Sequence, residues 1–159
     1  MRKLAPPSFS RGYRYISLLA LAVLLSISAA LLSFKGHASA PQGRFTATPD
    51  GVYDSVTNLS WQQVADSTAR NWANAGIYCQ AKGSNWRLPT ISELESLVDT
   101  SASSAPTIDS IFSGPSNTYW SSTPDAMIAG YAWDVGFEVG GSYSEDKGYI
   151  TFHYVRCVH

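Results

Sequence analysis

The most informative segment of the chain is Trp86-Arg87-Leu88-Pro89-Thr90-Ile91-Ser92-Glu93-Leu94. Pro89 favours an extended backbone in the residue before it and so marks the boundary between an irregular segment and a helix. Thr90 precedes Glu93 by three residues, which is the spacing of a capping box at a helix N-terminus. We therefore predict a helix over 91–99. No reactive group is evident in the segment, which favours a recognition module over an enzyme.

The first forty residues differ in composition from the rest of the chain. Four basic residues precede an uncharged run over 16–34, which is longer than an ordinary signal-peptide core and long enough to span a bilayer. Residues 1–40 are therefore expected to be either a signal peptide or a retained N-terminal membrane anchor, which would contact the membrane through 16–34. Both alternatives export the domain 41–159 to the periplasm, the cell envelope or the medium.

The charge of the exported part limits its partners. The whole chain has 11 Lys and Arg residues and 12 Asp and Glu residues. Five of the basic residues and none of the acidic ones precede residue 41, so the exported part carries 6 basic and 12 acidic side chains. Long-range repulsion opposes the approach of such a domain to nucleic acid or to a sulfated polysaccharide. We expect no nucleic-acid partner.

Two cysteines, Cys79 and Cys157, lie in the exported part. In an oxidising compartment a pair of this kind most simply forms one disulfide. Two unpaired buried thiols are the alternative, and a metal site has less support because neither cysteine has a second Cys or His at ligand spacing.

Sequence periodicity divides the exported part into a helical half and a β-rich half. Alternation around a polar turn predicts a hairpin over 52–61, after a strand that begins near Phe45. Apolar residues at three- and four-residue steps predict a first helix over 68–82. A loop rich in Ser, Pro and Gly follows the second helix over 100–117. Strands are predicted over 118–122, 131–139, 142–144 and, as the closing strand, 149–158.

Five blocks of residues lie in a fixed order along the exported part. They read Asp54-x-x-Thr57-x-Leu59-x-Trp61, Trp72-Ala73-x-Ala75-x-x-Tyr78-Cys79, Trp86-Arg87-Leu88-Pro89-Thr90-x-x-Glu93-Leu94, Tyr119-Trp120-Ser121-Ser122-Thr123 and Tyr154-Val155-Arg156-Cys157-Val158. In these blocks the chain resembles the Lcl C-terminal domain family of bacterial envelope and secreted proteins. The Arg-Leu-Pro-Thr block is also similar to that of the formylglycine-generating enzymes.

The resemblance implies an α+β, C-type-lectin-like fold. In that fold two helices flank a twisted, mostly antiparallel sheet, and one disulfide joins the first helix to the last strand. It also implies ligand recognition at a surface. The tripeptides of calcium-dependent lectins are missing, with only Trp133-Asp134-Val135 near their strand motif, and the copper-binding cysteine pair of the oxidising enzymes has no equivalent. We therefore expect no cofactor and no metal.

Aromatic residues divide into expected core and expected binding face. The tryptophans of the matched blocks are expected in the core: Trp61, Trp72, Trp86 and Trp120. Tyr131, Tyr143 and Tyr149, together with the loop 100–125, are the predicted ligand-binding face, because tyrosine offers both a stacking surface and a hydroxyl. The alternative is that these tyrosines are ordinary sheet and loop aromatics.

Charged and nucleophilic residues suggest no reaction. Arg87 and Arg156 could contact an anion, but we expect one or both to pair with Glu93, Asp99 or Asp134. A catalytic triad could be assembled from Ser121 or Ser122 with His153 and Asp134. The glycine pattern of a nucleophile elbow is missing, however, so the sequence does not support this triad. The carboxylates of Glu138, Asp134 and Glu145 are neighbours on strands and do not by themselves make a glycosidase site.

The sequence therefore predicts an exported, non-catalytic recognition module of the bacterial cell envelope that binds a glycan or a protein. The alternative is a membrane-anchored structural subunit of a surface assembly. A hydrolase is the third hypothesis.

Overall fold

The computed structural model describes residues 43–159, which form six β-strands and two short helices. The strands are β1 (Phe45–Thr48), β2 (Gly51–Asp54), β3 (Leu59–Trp61), β4 (Thr118–Pro124), β5 (Tyr131–Gly136) and β6 (Gly141–Asp146), and the helices are α1 (Trp72–Gln80) and α2 (Ile91–Glu95). The predicted signal peptide or anchor over 1–40 lies outside these residues. Within them, no helix has the length and apolar content needed to cross a membrane.

The first sheet is antiparallel, with the strands in the order β1-β2-β3. The predicted hairpin over 52–61 is confirmed, with Val52 opposite Trp61. Gly51 has a φ of +143°, and a Cβ atom there would overlap the carbonyl oxygen of Trp61. The turn between β1 and β2 therefore requires glycine at this position.

The second sheet is also antiparallel, in the order β4-β5-β6. Strands were predicted over 118–122, 131–139 and 142–144, and they are found as β4, β5 and β6. The strand β5 stops earlier than predicted because the chain turns after Gly136. Gly140 has a φ of +73°, and its N–H donates to the Gly136 carbonyl oxygen at 2.7 Å.

The predicted closing strand over 149–158 is wrong. Residues 153–158, the crossing segment, form isolated bridges: His153 with Arg70, Tyr154 with Tyr119, and Val158 with both Trp61 and Arg87. The segment contacts several elements in turn and does not follow any one strand. A continuous ladder needs a single neighbouring strand, so none forms.

The hydrophobic core consists of two clusters. The larger includes Val52, Trp61, Leu94, Phe112, Tyr119, Val135, Phe137 and Val158, and the smaller includes Ala75, Cys79, Leu88, Trp120, Ala132, Val155 and Cys157. Trp61 and Trp120 are fully buried, as predicted for core residues. Trp72 and Trp86 are only partly buried, against the smaller cluster.

The predicted fold class, an α+β C-type-lectin-like arrangement with two helices flanking one twisted sheet, is wrong. The strands divide into two separate three-stranded sheets, and the helices span only nine and five residues. The first helix starts late because the Asn71 side chain caps it, accepting from the Asn74 N–H at 3.0 Å. The second ends at Glu95 because Ser96 is its C-cap, and the Ser96 hydroxyl donates to the Glu93 carbonyl oxygen at 2.7 Å.

The capping box that opens the second helix is confirmed. The Glu93 N–H donates to the Thr90 hydroxyl at 3.3 Å, and the Thr90 N–H donates to the Glu93 carboxylate at 2.8 Å. The same carboxylate accepts two hydrogen bonds from Arg87, each 2.7 Å long. The Arg87 guanidinium lowers the pKa of Glu93, so the pair remains ionised well below neutral pH.

The predicted disulfide between Cys79 and Cys157 is present, with a Cα–Cα distance of 5.4 Å. Cys79 lies in the last turn of α1 and Cys157 in the crossing segment, and both are fully buried.

We predict that Cys157→Ser lowers the free energy of unfolding of the full-length chain by about 4 kcal/mol, because the cross-link removes loop-closure entropy from the unfolded chain. The two cysteines are 78 residues apart in sequence, so the closed loop is long. Denaturant unfolding of the variant, of Cys79→Ser and of the reduced wild type measures the loss. The prediction would be contradicted if the two variants and the reduced wild type had the same free energy of unfolding as the oxidised wild type.

Candidate functional site

Two adjoining cavities open beside Trp86, with volumes of about 300 and 290 Å³. Asp50, Lys82 and Trp86 line both of them, so we treat them as one site, the Trp86 groove. Its remaining lining residues are Gln62, Gln63, Gly83, Ser84, Asn85 and His159.

Three of the segments that form the groove are turns or strand ends. Asp50 lies in the tight turn that Gly51 permits, and Gln62 directly follows β3. Residues 82–86 lie between the helices, and the Trp86 N–H donates to the Gly83 carbonyl oxygen at 3.1 Å. Gly83 has a φ of +145°, a backbone conformation that residues with a Cβ rarely adopt. The groove backbone is therefore fixed by local constraints.

The fourth segment of the groove contains His159 and lies next to the disulfide. Cys79 lies shortly before the groove loop 82–86, and Cys157 lies two residues before His159. Arg87 and Val158 exchange two backbone hydrogen bonds, of 2.9 and 3.0 Å, beside this cross-link. His159 itself exchanges two backbone hydrogen bonds with Ser60, of 2.8 and 2.9 Å. The disulfide and these hydrogen bonds together hold His159 against the Trp86 loop.

The polar side chains of the groove differ in whether they already have hydrogen-bond partners within the domain. Gln62 is buried and fully engaged: its amide group donates to the Val64 carbonyl and the Tyr78 hydroxyl, and its oxygen accepts from the Cys157 N–H. Four exposed side chains have no hydrogen-bond or ion-pair partner within residues 43–159: Asp50, Lys82, Ser84 and Asn85. These four groups remain available to a ligand.

The Trp86 ring lies among these groups. It is partly buried and contacts the His159 ring, with a centroid distance of 4.4 Å and an interplanar angle of 57°. The Lys82 Nζ atom lies 5.7 Å from the indole centroid. The groove thus combines a partly exposed aromatic ring with hydrogen-bond donors and acceptors.

Most of the domain's cations are already committed. Three arginines form ion pairs, Arg44 with Asp54 at 2.6 Å, Arg70 with Asp66 at 2.6 Å and Arg87 with Glu93 at 2.7 Å, and Arg156 is buried and donates to the carbonyls of Gln62, Gln63 and Ser113. In the part of the chain that the structure describes, only Lys82 and Lys147 lack an acidic or carbonyl partner, and both lie near aromatic rings. No cluster of free cations is present among these residues.

The family model of the Lcl C-terminal domain matches residues 50–159, a range that includes every residue of the Trp86 groove. The chain belongs to the Lcl C-terminal domain family. No curated protein matches it.

The three tyrosines predicted to bind a ligand do not share one face in this Lcl C-terminal domain. In the second sheet Tyr131 is opposite Asp146, and Tyr143 is opposite Asp134. Side chains alternate along a strand, so Tyr131 and Tyr143 point to opposite faces of the sheet. Tyr149 follows β6 and is 87 % exposed. Their role in binding stays a prediction.

Of the hypothetical triad, His153 and Asp134 are neighbours, and Ser121 is already engaged. Ser122, the alternative serine, is half-buried and lines a separate cavity beside α1. The Ser121 hydroxyl is fully buried and donates to the Trp133 carbonyl oxygen at 2.6 Å. The His153 Nε2 atom is 3.7 Å from an oxygen of Asp134. The Asp134 carboxyl is fully buried and accepts no hydrogen bond from residues 43–159. Burial, together with the charges of two nearby glutamates, raises the pKa of Asp134 to about 7. Burial also lowers the pKa of His153.

The Arg87–Glu93 pairing predicted from the sequence is confirmed, whereas Arg156 binds carbonyls and no carboxylate. The groove itself was missed, since Trp86 was assigned to the core and Asp50 to no role. The polar run Gly83-Ser84-Asn85, placed directly before Trp86, was the available signal.

We predict that Asp134→Asn stabilises this Lcl C-terminal domain relative to the wild type more at about pH 8 than at about pH 5. The folded carboxyl holds its proton up to about pH 7, whereas an unfolded Asp loses it near 3.8. The wild type therefore loses stability as the pH rises through this window, and the amide does not.

Thermal unfolding of the full-length wild type and of the Asp134→Asn variant at the two pH values measures this difference in stability. His153 is kept in both proteins, so its own titration contributes to both. Asp50→Asn, which removes an exposed carboxylate, is the control. A change in Tm on Asp134→Asn that is the same at both pH values would refute the assignment.

Proposed function

We propose that this protein is an exported, non-catalytic recognition module of the bacterial cell envelope, and that it binds its ligand in the Trp86 groove. The observation that carries the proposal is the groove itself, which has a partly exposed indole. Asp50, Lys82, Ser84 and Asn85 line it, and none of these side chains has a hydrogen-bond or ion-pair partner within residues 43–159. Concave sites with an aromatic surface and a few convergent polar groups are typical of ligand binding.

Export is supported by the disulfide and by the sequence of the leader. Disulfides persist in oxidising compartments, and the Cys79–Cys157 bond closes most of the domain. The basic residues and uncharged run that precede residue 41 are typical of export signals and N-terminal anchors.

A binding role is supported over a chemical one by how the nucleophilic side chains are used. Ser121 is buried and engaged with the Trp133 carbonyl, and both cysteines are in the disulfide. Ser122 is half-buried, but the His153 Nε2 atom has no hydrogen-bond partner among the described residues, so no base is paired with this serine. The groove holds a carboxylate and a hydroxyl, Asp50 and Ser84, but the contacts of the described residues include no hydrogen bond between them. A nucleophile needs a base within hydrogen-bond reach to be activated.

We predict that Asp50→Ala combined with Asn85→Ala weakens ligand binding by about tenfold or more, because each removes a hydrogen bond whose loss costs about 1 kcal/mol. The measurement is retention of the full-length chain, in mild detergent, on an array of glycans and envelope proteins, followed by mass spectrometry of the ligand. Val139→Ala is the control, since it removes an exposed side chain outside the groove, and Tyr149→Ala tests the predicted tyrosine face.

Undiminished binding by the double variant together with loss in Tyr149→Ala would place the site on the predicted tyrosine face and refute the groove. A chemically altered ligand would refute the non-catalytic assignment.

A second function, a structural subunit of a surface assembly, has one specific observation in its favour. Five apolar side chains are exposed near one end of the second sheet: Met127, Ile128, Tyr149, Ile150 and Phe152. The Lys147 N–H donates to the Gly130 carbonyl oxygen at 2.9 Å and so connects the two segments that carry them. Such a surface suits contact with another protein.

Photo-crosslinkers placed at Met127, Ile150 and Asp50 of the full-length chain in cells distinguish the two functions. The recognition module predicts a ligand adduct at Asp50, and a surface assembly predicts discrete protein adducts at Met127 and Ile150. Protein adducts at the latter two positions alone would favour the assembly.

A further inference from the structure

We infer that the ligand of the Trp86 groove is an uncharged sugar, one ring of which lies against the Trp86 indole. This inference rests on the proposed recognition function and deepens it by naming the class of ligand. It follows from three properties of the groove: the mixture of groups around the indole, the lack of features that peptides need, and the balance of charge.

The first property is the chemistry around Trp86. A pyranose ring has C–H groups on its faces and hydroxyls at its rim, and the face of an indole carries negative potential that attracts C–H groups. Each hydroxyl is both a donor and an acceptor. The groove offers an acceptor in Asp50, a donor in Lys82, and groups of both kinds in Ser84 and Asn85. These groups match a hydroxylated rim around a stacked ring.

The second property separates a sugar from a peptide. Peptides are bound as an added strand, as an amphipathic helix in an apolar groove, as a proline-rich helix on several aromatics, or through arginine clusters. The Trp86 groove contains a single indole, the imidazole of His159, and no arginine. Its lining includes no strand residue, since Asp50 precedes β2 and Gln62 follows β3. The groove lacks the features that these four modes of peptide binding require.

The third property is charge. Within the groove one carboxylate, Asp50, is balanced by one ammonium group, Lys82. The arginines of the described domain are engaged with carboxylates or carbonyls, so they cannot form a second shell of positive charge for a sulfate or phosphate group. With 6 basic and 12 acidic residues after residue 40, the long-range field also repels polyanions. A neutral ligand needs no additional positive charge in the site, and the long-range field of the domain does not repel it.

The experiment uses uncharged oligosaccharides of glucose, mannose, galactose and N-acetylglucosamine, together with chemically sulfated forms of each. Binding of the full-length chain in mild detergent is measured between about 0.05 and 0.5 M salt, where surface charges become screened. We expect at least one uncharged series to bind with less than about twofold change over this range, and the sulfated forms to bind more weakly.

Variants connect that binding to the groove. Trp86→Ala is expected to lose at least about tenfold in affinity and Trp86→Phe less, because phenylalanine keeps an aromatic face. Asn85→Ala removes an exposed amide and keeps the test valid if Trp86→Ala does not fold. Val139→Ala, which removes an exposed side chain outside the groove, should bind as the wild type does.

Two outcomes would overturn the inference and leave the recognition function intact: preferential, salt-sensitive binding of the sulfated forms, or binding of an envelope protein alone that is lost in Asn85→Ala. If groove variants change the binding of no glycan and no protein, both the inference and the proposed function fail.

Discussion

The disulfide between Cys79 and Cys157 is the constraint on which the rest of the domain depends. The backbone of the crossing segment, residues 153–158, pairs with both sheets and with Arg87 through isolated bridges and forms no continuous ladder. Isolated bridges lack the cooperativity of a ladder. The covalent bond ties this segment to α1 within the smaller core cluster. It thereby also fixes one wall of the Trp86 groove, so structure and candidate site share the same support.

Arg156 supplies the non-covalent counterpart of that bond. It is almost fully buried, and its guanidinium donates to the carbonyls of Gln62, Gln63 and Ser113 at 2.7, 2.7 and 3.0 Å. Burial lowers the pKa of Arg156 to about 10, which still leaves it charged at neutral pH. A buried charge is tolerated only when it is hydrogen-bonded. These three carbonyls therefore fix the crossing segment against the end of β3, beside the groove.

Local features could be predicted from the sequence, and features that depend on distant contacts could not. The capping box of Thr90 and Glu93, the hairpin over 52–61 and the disulfide each follow from spacing or from compartment. The division into two sheets and the path of residues 149–158 depend on partners far along the chain, which periodicity does not reveal. Trp86 packs against the core as predicted, but its exposure to the groove was not predicted. A tryptophan looks the same in sequence whether its indole is buried or lines a groove.

The residues that hold the scaffold differ from those that line the Trp86 groove without partners. The side chains that hold the scaffold satisfy one another: Arg87 with Glu93, Cys79 with Cys157. Groups whose hydrogen bonds and charges are already paired within the protein have few donors or acceptors free for a ligand. The groups of the groove that remain unpartnered, such as Asp50 and Asn85, add little to the core and can change without loss of fold. Substitutions at these groove positions would therefore alter the proposed ligand preference more than the fold.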